Sequence, residues 1–151
     1  MLEELSKKLK INSQIQWMGR LPSSQVPSAL SQSDLCIVPS RFEGWGVLVN
    51  EAIQAGIGVV CSDRVTSREL VQKSKAGFIY DGLSTPKLGK SLDEILIAPK
   101  RILEFKQRAR SYAPRICGES VSSYLADVLK FISHAENTRP KPPWLATDNS
   151  D

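Results

Sequence analysis

The stretch PSRFEGWGVLVNEA, residues 39–52, decides the fold of this chain because it joins a strand to a helix through a loop with two glycines. The apolar run Leu35–Val38 before it predicts a short, fully buried strand. After the loop, apolar spacing predicts a helix over Val47–Ala55. A strand, a tight loop and a helix in this order are typical of an α/β domain with a parallel sheet.

The start of this helix has the chemistry of an anion or sugar site. Its first N–H groups lack partners within the helix and carry the positive end of the helix dipole. Gly44 and Gly46 remove side chains where a phosphate would approach the backbone. Helical side chains lean toward the N-terminus, so we expect Glu51 to reach the same mouth as Glu43. Both carboxylates accept hydrogen bonds from sugar or ribose hydroxyls.

Period-two and helical patterns predict the remaining elements. Four strands are predicted, over Ile15–Met18, Leu35–Val38, Val59–Ser62 and Gly77–Tyr80. Leucines 2, 5 and 9 predict a helix at the start of the chain, and residues 23–33 predict a second, short helix. Ser67 or Thr66 is predicted to be the N-cap of a further helix. Three helices are expected after the last strand.

The composition divides the chain into two segments. Residues 1–133 are predicted to form one Rossmann-like α/β domain, a mostly parallel sheet flanked by helices. Residues 134–151 are rich in proline and polar side chains, which predicts a disordered tail. The single histidine, His134, stands near the end of the last predicted helix and is interpreted as a surface residue.

Composition excludes several functional classes. The net charge of +4 suits ligands that carry phosphate, but no basic stripe with interleaved aromatics predicts nucleic-acid binding. No apolar run approaches the roughly 20 residues of a membrane span, and no signal peptide is evident, so a cytoplasmic protein is predicted. Six basic residues within 100–115 leave open peripheral contact with the inner face of a membrane, although a solvated face is the preferred interpretation.

The cysteines predict neither a disulfide framework nor a metal site. Cys36 and Cys61 fall in apolar, strand-like runs, and Cys117 stands near a helix start. Their number is odd and their spacing is not that of metal ligands. We therefore predict buried, reduced thiols, and no metal or cofactor.

The composite of the loop resembles a known family. In order after a buried strand, it contains Ser40, Glu43, Gly44, Gly46, Glu51, Ala52 and Gly56. This pattern resembles the C-terminal half of the retaining nucleotide-sugar glycosyltransferases of the GT-B fold, the "group 1" family, whose signature is two glutamates with seven residues between them. The resemblance runs from about Leu2 to Ile132 and implies a partial C-terminal, donor-binding domain.

The resemblance implies transfer of a sugar, with retention, from a nucleotide diphosphate to a hydroxyl of a saccharide or lipid-linked glycan, as in polysaccharide biosynthesis. Glu43 would be the catalytic-site carboxylate that accepts from donor-sugar hydroxyls, and Glu51 would hold the ribose. The N–H groups from Gly44 through Val47 would meet sugar or phosphate. Ser40 and Trp45 would belong to the same donor site, and the nucleotide base would lie near Gly19 and Arg20.

The chain also departs from the family pattern. Many members have two glycines where Val65 and Thr66 stand. The N-terminal domain, the first two strands of the C-terminal domain and the Arg/Lys pair that grips the diphosphate have no counterpart here. The expectation is therefore a fragment, inactive alone, that takes a UDP- or GDP-sugar.

Two alternatives stay open at the level of the sequence. One is a non-catalytic nucleotide-sugar binding or interaction module derived from the same fold. The other is a generic doubly wound signalling domain, which would carry clustered acidic residues at the end of its first strand, a feature this sequence lacks.

Overall fold

The computed structural model describes residues 2–133 and 137–145, and a three-stranded parallel sheet lies at its centre. The strands are β1 (Leu35–Val38), β2 (Gly58–Ser62) and β3 (Gly77–Tyr80), in the spatial order β1-β2-β3. Both pairs are parallel, with Leu35 opposite Gly58 and Val59 opposite Gly77. Parallel neighbours need a crossover connection, and helices provide it in both cases. The predicted α/β fold is confirmed.

Seven helices surround the sheet within the described residues: α1 (Leu2–Lys8), α2 (Val26–Ser31), α3 (Val47–Gln54), α4 (Arg68–Ser74), α5 (Thr85–Ile97), α6 (Lys100–Tyr112) and α7 (Gly118–Ile132). Short 3-10 turns lie at Asn12–Gln14, Ser23–Gln25, Ala113–Arg115 and Pro143–Leu145. The helix predicted after the glycine loop is confirmed as α3, and the three helices predicted after the last strand are α5, α6 and α7.

The core has a layer on each face of the sheet. On one face, Val59 and Cys61 pack with α3, α4 and part of α6. On the other face, Val60 and Tyr80 pack with Ile95 of α5 and with Phe105 of α6. All five residues of β2 are buried because helices cover both of its faces.

Two strand predictions are corrected. Residues 15–18 form no strand, and Trp17 and Met18 are about half exposed. A strand needs a hydrogen-bonded neighbour, and within the described residues this segment has none in the sheet. β1 forms as predicted but is not fully buried, since the Ile37 side chain is 41% exposed. The helices on that face, α5 and α6, contact mainly β3 and β2 and leave Ile37 uncovered.

Part of the segment predicted as a disordered tail packs on the domain instead. Residues 143–145 form a 3-10 turn, and the Trp144 side chain lies against the core. The hydroxyl of Tyr112 donates a 2.7 Å hydrogen bond to the Trp144 carbonyl oxygen. Trp144 therefore attaches the described part of this proline-rich stretch to the domain. The prediction for His134 lies outside the described residues.

Candidate functional site

The glycine loop, residues 43–46, follows the carboxyl end of β1 and ends at the start of α3. Gly46 is the N-cap residue of α3, and its φ of 81° is in the left-handed region that favours glycine. A Cβ atom at Gly46 would overlap the Val65 side chain and lie 2.9 Å from the Ser67 hydroxyl. By contrast, a Cβ atom at Gly44 would meet nothing within 4 Å. One glycine is packed and the other is open to solvent.

Ser67 fixes the loop to the segment before α4. Its backbone N–H donates to the Trp45 carbonyl oxygen at 2.8 Å, and its hydroxyl donates to the Gly46 carbonyl oxygen at 2.9 Å. Ser67 is the N-cap residue of α4 as predicted, but its hydroxyl makes no capping bond. The predicted cap position is confirmed, and its hydroxyl bonds across to the loop instead of to the helix. Sequence spacing carries no signal for such a contact.

The Glu43 carboxylate is oriented by its own loop. The Ser40 hydroxyl donates to Glu43 Oε2 at 2.8 Å, and the Glu43 N–H donates to the Arg64 carbonyl oxygen at 3.2 Å. A parallel bridge between Glu43 and Val65 extends the pairing of β1 and β2 past the strand ends. Ser62, fully buried, donates to the Ser40 carbonyl oxygen at 2.6 Å. These bonds hold Glu43 half-buried at the carboxyl edge of the sheet.

Glu51 and the predicted base-contact residues lie in different settings. Glu51 is half-buried in the second turn of α3, next to the buried Ala52. Gly19 has a φ of 60°, and both it and Arg20 lie on an exposed segment. Neither the Ser40–Glu43 bond nor the Ser67–Gly46 bond involves them.

Arginines lie beside the loop that follows β2, a feature that sequence reasoning did not place in the site. The Arg64 Nε lies 3.3 Å from Asp63 Oδ1, and the Arg64 side chain is about half exposed. Arg68 Nη1 donates to the Asp63 carbonyl oxygen at 2.7 Å. The chain therefore brings positive charge to the same sheet edge as Glu43. The signal was present in the run Asp63-Arg64, at a strand end, where parallel sheets bind ligands.

Large apolar side chains on and beside the glycine loop are exposed. Phe42 is 88% exposed and Trp45 is 52% exposed. Val47 and Leu48, in the first turn of α3, are also exposed. A contiguous apolar surface beside a polar cluster is typical of a ligand or interaction surface.

The basic segment 100–115 is partly neutralised by the domain itself. Lys106 Nζ lies 2.7 Å from Asp34 Oδ1, and Arg101 and Arg108 pair with Glu94 and Glu104 at 3.6 and 3.8 Å. None of the helices within residues 2–133 and 137–145 combines the length and apolar character that crossing a bilayer requires.

All three cysteines are free thiols, and two are buried as predicted. Burial raises the pKa of Cys36 to about 11 and that of Cys61 to about 12, with the Arg68 charge opposing the shift at Cys61. Cys117 is partly exposed, and its hydrogen bond with the Ser120 hydroxyl lowers its pKa. Burial keeps the first two neutral.

Comparison with known proteins defines the class. The family model "Glycosyl transferases group 1" matches residues 1–113. The chain belongs to this glycosyltransferase family.

Particular relatives are distant in sequence. The chain is 25% identical over 126 residues to a D-inositol 3-phosphate glycosyltransferase of Rhodococcus erythropolis, covering 83% of this chain and 28% of the relative. It is 23% identical over 137 residues to a GDP-mannose-dependent alpha-(1-6)-phosphatidylinositol monomannoside mannosyltransferase of Mycobacterium tuberculosis, covering 85% of this chain and 36% of the relative. The chain thus spans about a third of the length of these curated relatives.

Two solved structures share the fold. WaaG, a glycosyltransferase involved in lipopolysaccharide biosynthesis, superposes with a TM-score of 0.68 at 24% identity, covering 75% of this chain and 30% of WaaG. Sucrose-phosphate synthase from Thermosynechococcus elongatus superposes with a TM-score of 0.76 at 18% identity, covering 89% of this chain and 34% of the synthase. The implied fold, part of a GT-B glycosyltransferase, is confirmed.

Proposed function

We propose that this chain forms the donor-binding part of a retaining glycosyltransferase, which moves a sugar from a nucleotide diphosphate to a hydroxyl of a saccharide or lipid-linked glycan. The observation that carries this proposal is the oriented Glu43 carboxylate, held by Ser40 beside an open glycine at the carboxyl edge of a parallel sheet. Membership of the group 1 family supports the same assignment.

Glu43 is proposed as the catalytic-site carboxylate. With Oε2 accepting from Ser40, Oε1 is left to accept from a hydroxyl of the donor sugar. A carboxylate fixed before the reaction stabilises positive charge on the sugar without reorganising in the transition state. We therefore assign it to the reacting sugar rather than to the phosphates, which it would repel.

The helix start is proposed to face the departing diphosphate. The N–H groups from Gly44 through Val47, in the loop and at the start of α3, would meet the sugar or phosphate, and Gly44 leaves space for close approach. The half-exposed Arg64 side chain, whose Nε lies 3.3 Å from Asp63 Oδ1, is a cation at this edge that could turn to a phosphate. It offers a partial substitute for the basic pair that other members use.

Glu51 and an exposed outer segment complete the proposed nucleotide site. Glu51 accepts from the ribose hydroxyls, and Trp45 contacts the donor from the loop. The base lies near Gly19 and the backbone of Arg20. The name of the mycobacterial relative specifies GDP-mannose, which supports GDP-sugars as first candidates alongside UDP-sugars.

The acceptor side of the site is proposed to come from a facing domain. The exposed Phe42, Trp45 and Val47 side chains would then line a closed cleft instead of meeting water. Transfer needs the acceptor hydroxyl held against the donor with water excluded. The chain alone is therefore proposed to bind donor without transferring it, and peripheral contact with an anionic membrane is proposed for the complete enzyme.

Amide chemical-shift titration with UDP, GDP and their sugars tests donor binding. We expect millimolar nucleotide to shift Gly44, Gly46 and Glu51. Glu51→Gln should weaken nucleotide binding by roughly tenfold, since a hydrogen bond to a charged group is worth about 1.5–3 kcal/mol. Pyrophosphate, which lacks a ribose, should bind both proteins equally. The matched control is Glu69→Gln, an exposed glutamate in the first turn of α4. No shifts at these residues would contradict the proposal.

A non-catalytic nucleotide-sugar binding module is the second candidate. Val65 favours it, because its side chain fills the space beside Gly46 where many members carry glycine. A packed loop of this kind restricts how closely the donor sugar approaches. Transfer by a two-domain protein containing this chain, abolished by Glu43→Ala with donor binding retained, would exclude the module.

A further inference from the structure

We propose that Trp144 is a positioning residue for the glycine loop, because it closes an apolar cavity that it shares with Trp45. The proposal concerns the described C-terminal stretch, residues 137–145, for which composition predicted disorder. The packing of Trp144 is sufficient to support its effect on the loop. Its consequence for nucleotide binding rests on the proposed function.

Trp144 is held on the domain by both its backbone and its ring. The Tyr112 hydroxyl donates to its carbonyl oxygen at 2.7 Å. Its ring meets the Tyr124 ring edge to face, with centroids 5.3 Å apart and planes at 77°. Tyr112 belongs to α6 and Tyr124 to α7, so one turn of the chain contacts two helices.

Trp144 forms part of the wall of a cavity of about 260 Å³. The other residues come from the glycine loop, α3, α4, the stretch before α7, and α7 itself. The lining residues are Trp45, Asn50, Leu70, Ile116, Val121 and Trp144. Asn50 is the one lining residue without an apolar or aromatic side chain. Because Trp144 is one of the two tryptophans in the wall, truncating it should enlarge this space and remove contacts from the apolar side chains that face it.

The conformation of the glycine loop depends on how Trp45 packs in this cavity. Trp45 is flanked by Gly44 and Gly46, which give the backbone more conformational freedom than any other residue type. Ser67 restrains the Trp45 and Gly46 carbonyl groups. The side chain of Trp45, the one residue between the two glycines, is the other group through which the loop can be held. Its outer part is exposed and the rest faces the cavity. An intact cavity wall therefore restricts the loop.

Fluorescence of Trp45 alone tests the structural part without any ligand. In a Trp17→Phe background, Trp144→Phe keeps an aromatic ring in the cavity and leaves Trp45 as the sole tryptophan. Trp144→Ala in the same background opens the cavity. We expect acrylamide to quench Trp45 markedly more in the alanine variant than in the phenylalanine variant. Equal quenching in two folded variants overturns the proposal.

Two further variants keep the test decisive. Leu145→Ala, added to the Trp17→Phe, Trp144→Phe protein, removes the neighbouring, half-exposed side chain, which does not line the cavity, and should leave Trp45 quenching unchanged. If Trp144→Ala does not fold, Trp144→Leu retains part of the apolar volume without the aromatic contact and should give an intermediate result. A Trp144→Leu variant that matches Trp144→Phe would also overturn the proposal.

Nucleotide titration tests the consequence for the donor site. We expect the Kd for GDP or UDP to rise about threefold or more in Trp144→Ala and to recover in Trp144→Phe, since a loop that is ordered for less time binds more weakly. Higher quenching together with an unchanged, measurable Kd overturns the role in donor binding. Higher quenching with no nucleotide binding by any variant supports positioning of the loop and counts against the proposed function instead.

Discussion

Gly44 and Gly46 are two positions apart, yet the structure gives them different surroundings. Gly46 combines a left-handed backbone with close packing against Val65 and Ser67. Gly44 has an ordinary φ and open space where a side chain would stand. Gly46 therefore supports the structure of the loop, whereas Gly44 keeps a path to the helix start open.

Alanine substitution separates these two roles. Gly46→Ala should lower the free energy of unfolding by about 1–3 kcal/mol, because it strains the backbone and overpacks the site. Gly44→Ala should leave stability within about 0.5 kcal/mol and, under the proposed function, weaken binding of nucleotide. Urea unfolding of the two variants tests the expected stabilities, and nucleotide titration tests the expected binding. Equal destabilisation would contradict the packing described for Gly46.

The buried thiols predict a loss of stability in alkaline solution. Burial raises the pKa of Cys36 and Cys61 to about 11 and about 12 from an ordinary value of 9.0. Below pH 9.0 the thiols are protonated in both the folded and the unfolded chain and do not lower the free energy of unfolding. Above pH 9.0 the unfolded chain loses the thiol protons first, so the free energy of unfolding falls as the pH rises toward the pKa values of the folded chain. At about pH 10 each thiol should lower the free energy of unfolding by on the order of 1 kcal/mol.

Alanine variants isolate this effect from other groups that titrate at high pH. The slope of stability against pH should flatten when Cys36 and Cys61 are both replaced by alanine. Cys117→Ser should keep the wild-type slope above pH 9, since Cys117 is partly exposed and its pKa is lowered. A slope that does not depend on the two buried cysteines would rule out this origin.

At the scale of elements, a few buried hydroxyls join the strand ends to the site. Ser62 is fully buried, donates to the Ser40 carbonyl oxygen and accepts from the Arg64 N–H at 3.0 Å. It links the last residue of β2 to the segment that carries Glu43. Ser67 makes the equivalent link from α4 to the loop.

Ser62→Ala should therefore destabilise the domain. The substitution leaves the Ser40 carbonyl oxygen and the Arg64 N–H without this partner in a partly buried setting, which should cost about 1–3 kcal/mol. Ser31→Ala, at an exposed serine near the end of α2 whose hydroxyl bonds locally, is the control and should change stability by less than about 0.5 kcal/mol. Thermal and urea unfolding measure both. A neutral Ser62→Ala would show that water replaces the hydroxyl at this position.

The elements that sequence predicted correctly are those with local causes. β3 and α3 follow from apolar runs bounded by glycines and from helical spacing, and both lie where expected. Residues 15–18 have the same local pattern but no pairing partner in the part of the chain that the structure describes, so the strand prediction failed. Likewise α7 has a strong apolar period, yet Leu125 and Leu129 on it are exposed, because periodicity states which face is apolar and not what covers it.

The same distinction applies to the candidate site. The glycines and the two glutamates were found from the strand, loop and helix layout together with the resemblance to the family, and their roles remain predictions. The bonds from Ser62, Ser67 and Tyr112 span 20 or more positions, and no local pattern encodes them. Trp144 was missed for a related reason: composition averages over a segment, whereas one aromatic side chain suffices to anchor it.

At the scale of the molecule, we expect the isolated chain to bind the donor without transferring its sugar. The isolated chain should bind nucleotide weakly and show no sugar transfer from UDP- or GDP-sugars, because its polar cluster and exposed Phe42 face solvent. In a two-domain protein that contains it, Glu43→Ala should lower kcat by about 10²-fold or more with a small change in donor affinity. Product analysis with radiolabelled donor measures both. Sustained transfer by the isolated chain would show that no facing domain is needed.

The order of the strands has a consequence for how this region forms during synthesis. Within residues 2–133 and 137–145, each strand pairs with the one that follows it in the sequence, and no later strand inserts between earlier ones. A sheet of this topology grows in one direction as the chain leaves the ribosome, with contacts of low sequence separation made first. The growing edge advances with the polypeptide, while the β1 edge is the trailing one. Within the described residues, each strand can therefore add to a neighbour that has already been synthesised, although the side chains that bury β2 arrive later, with α4, α5 and α6.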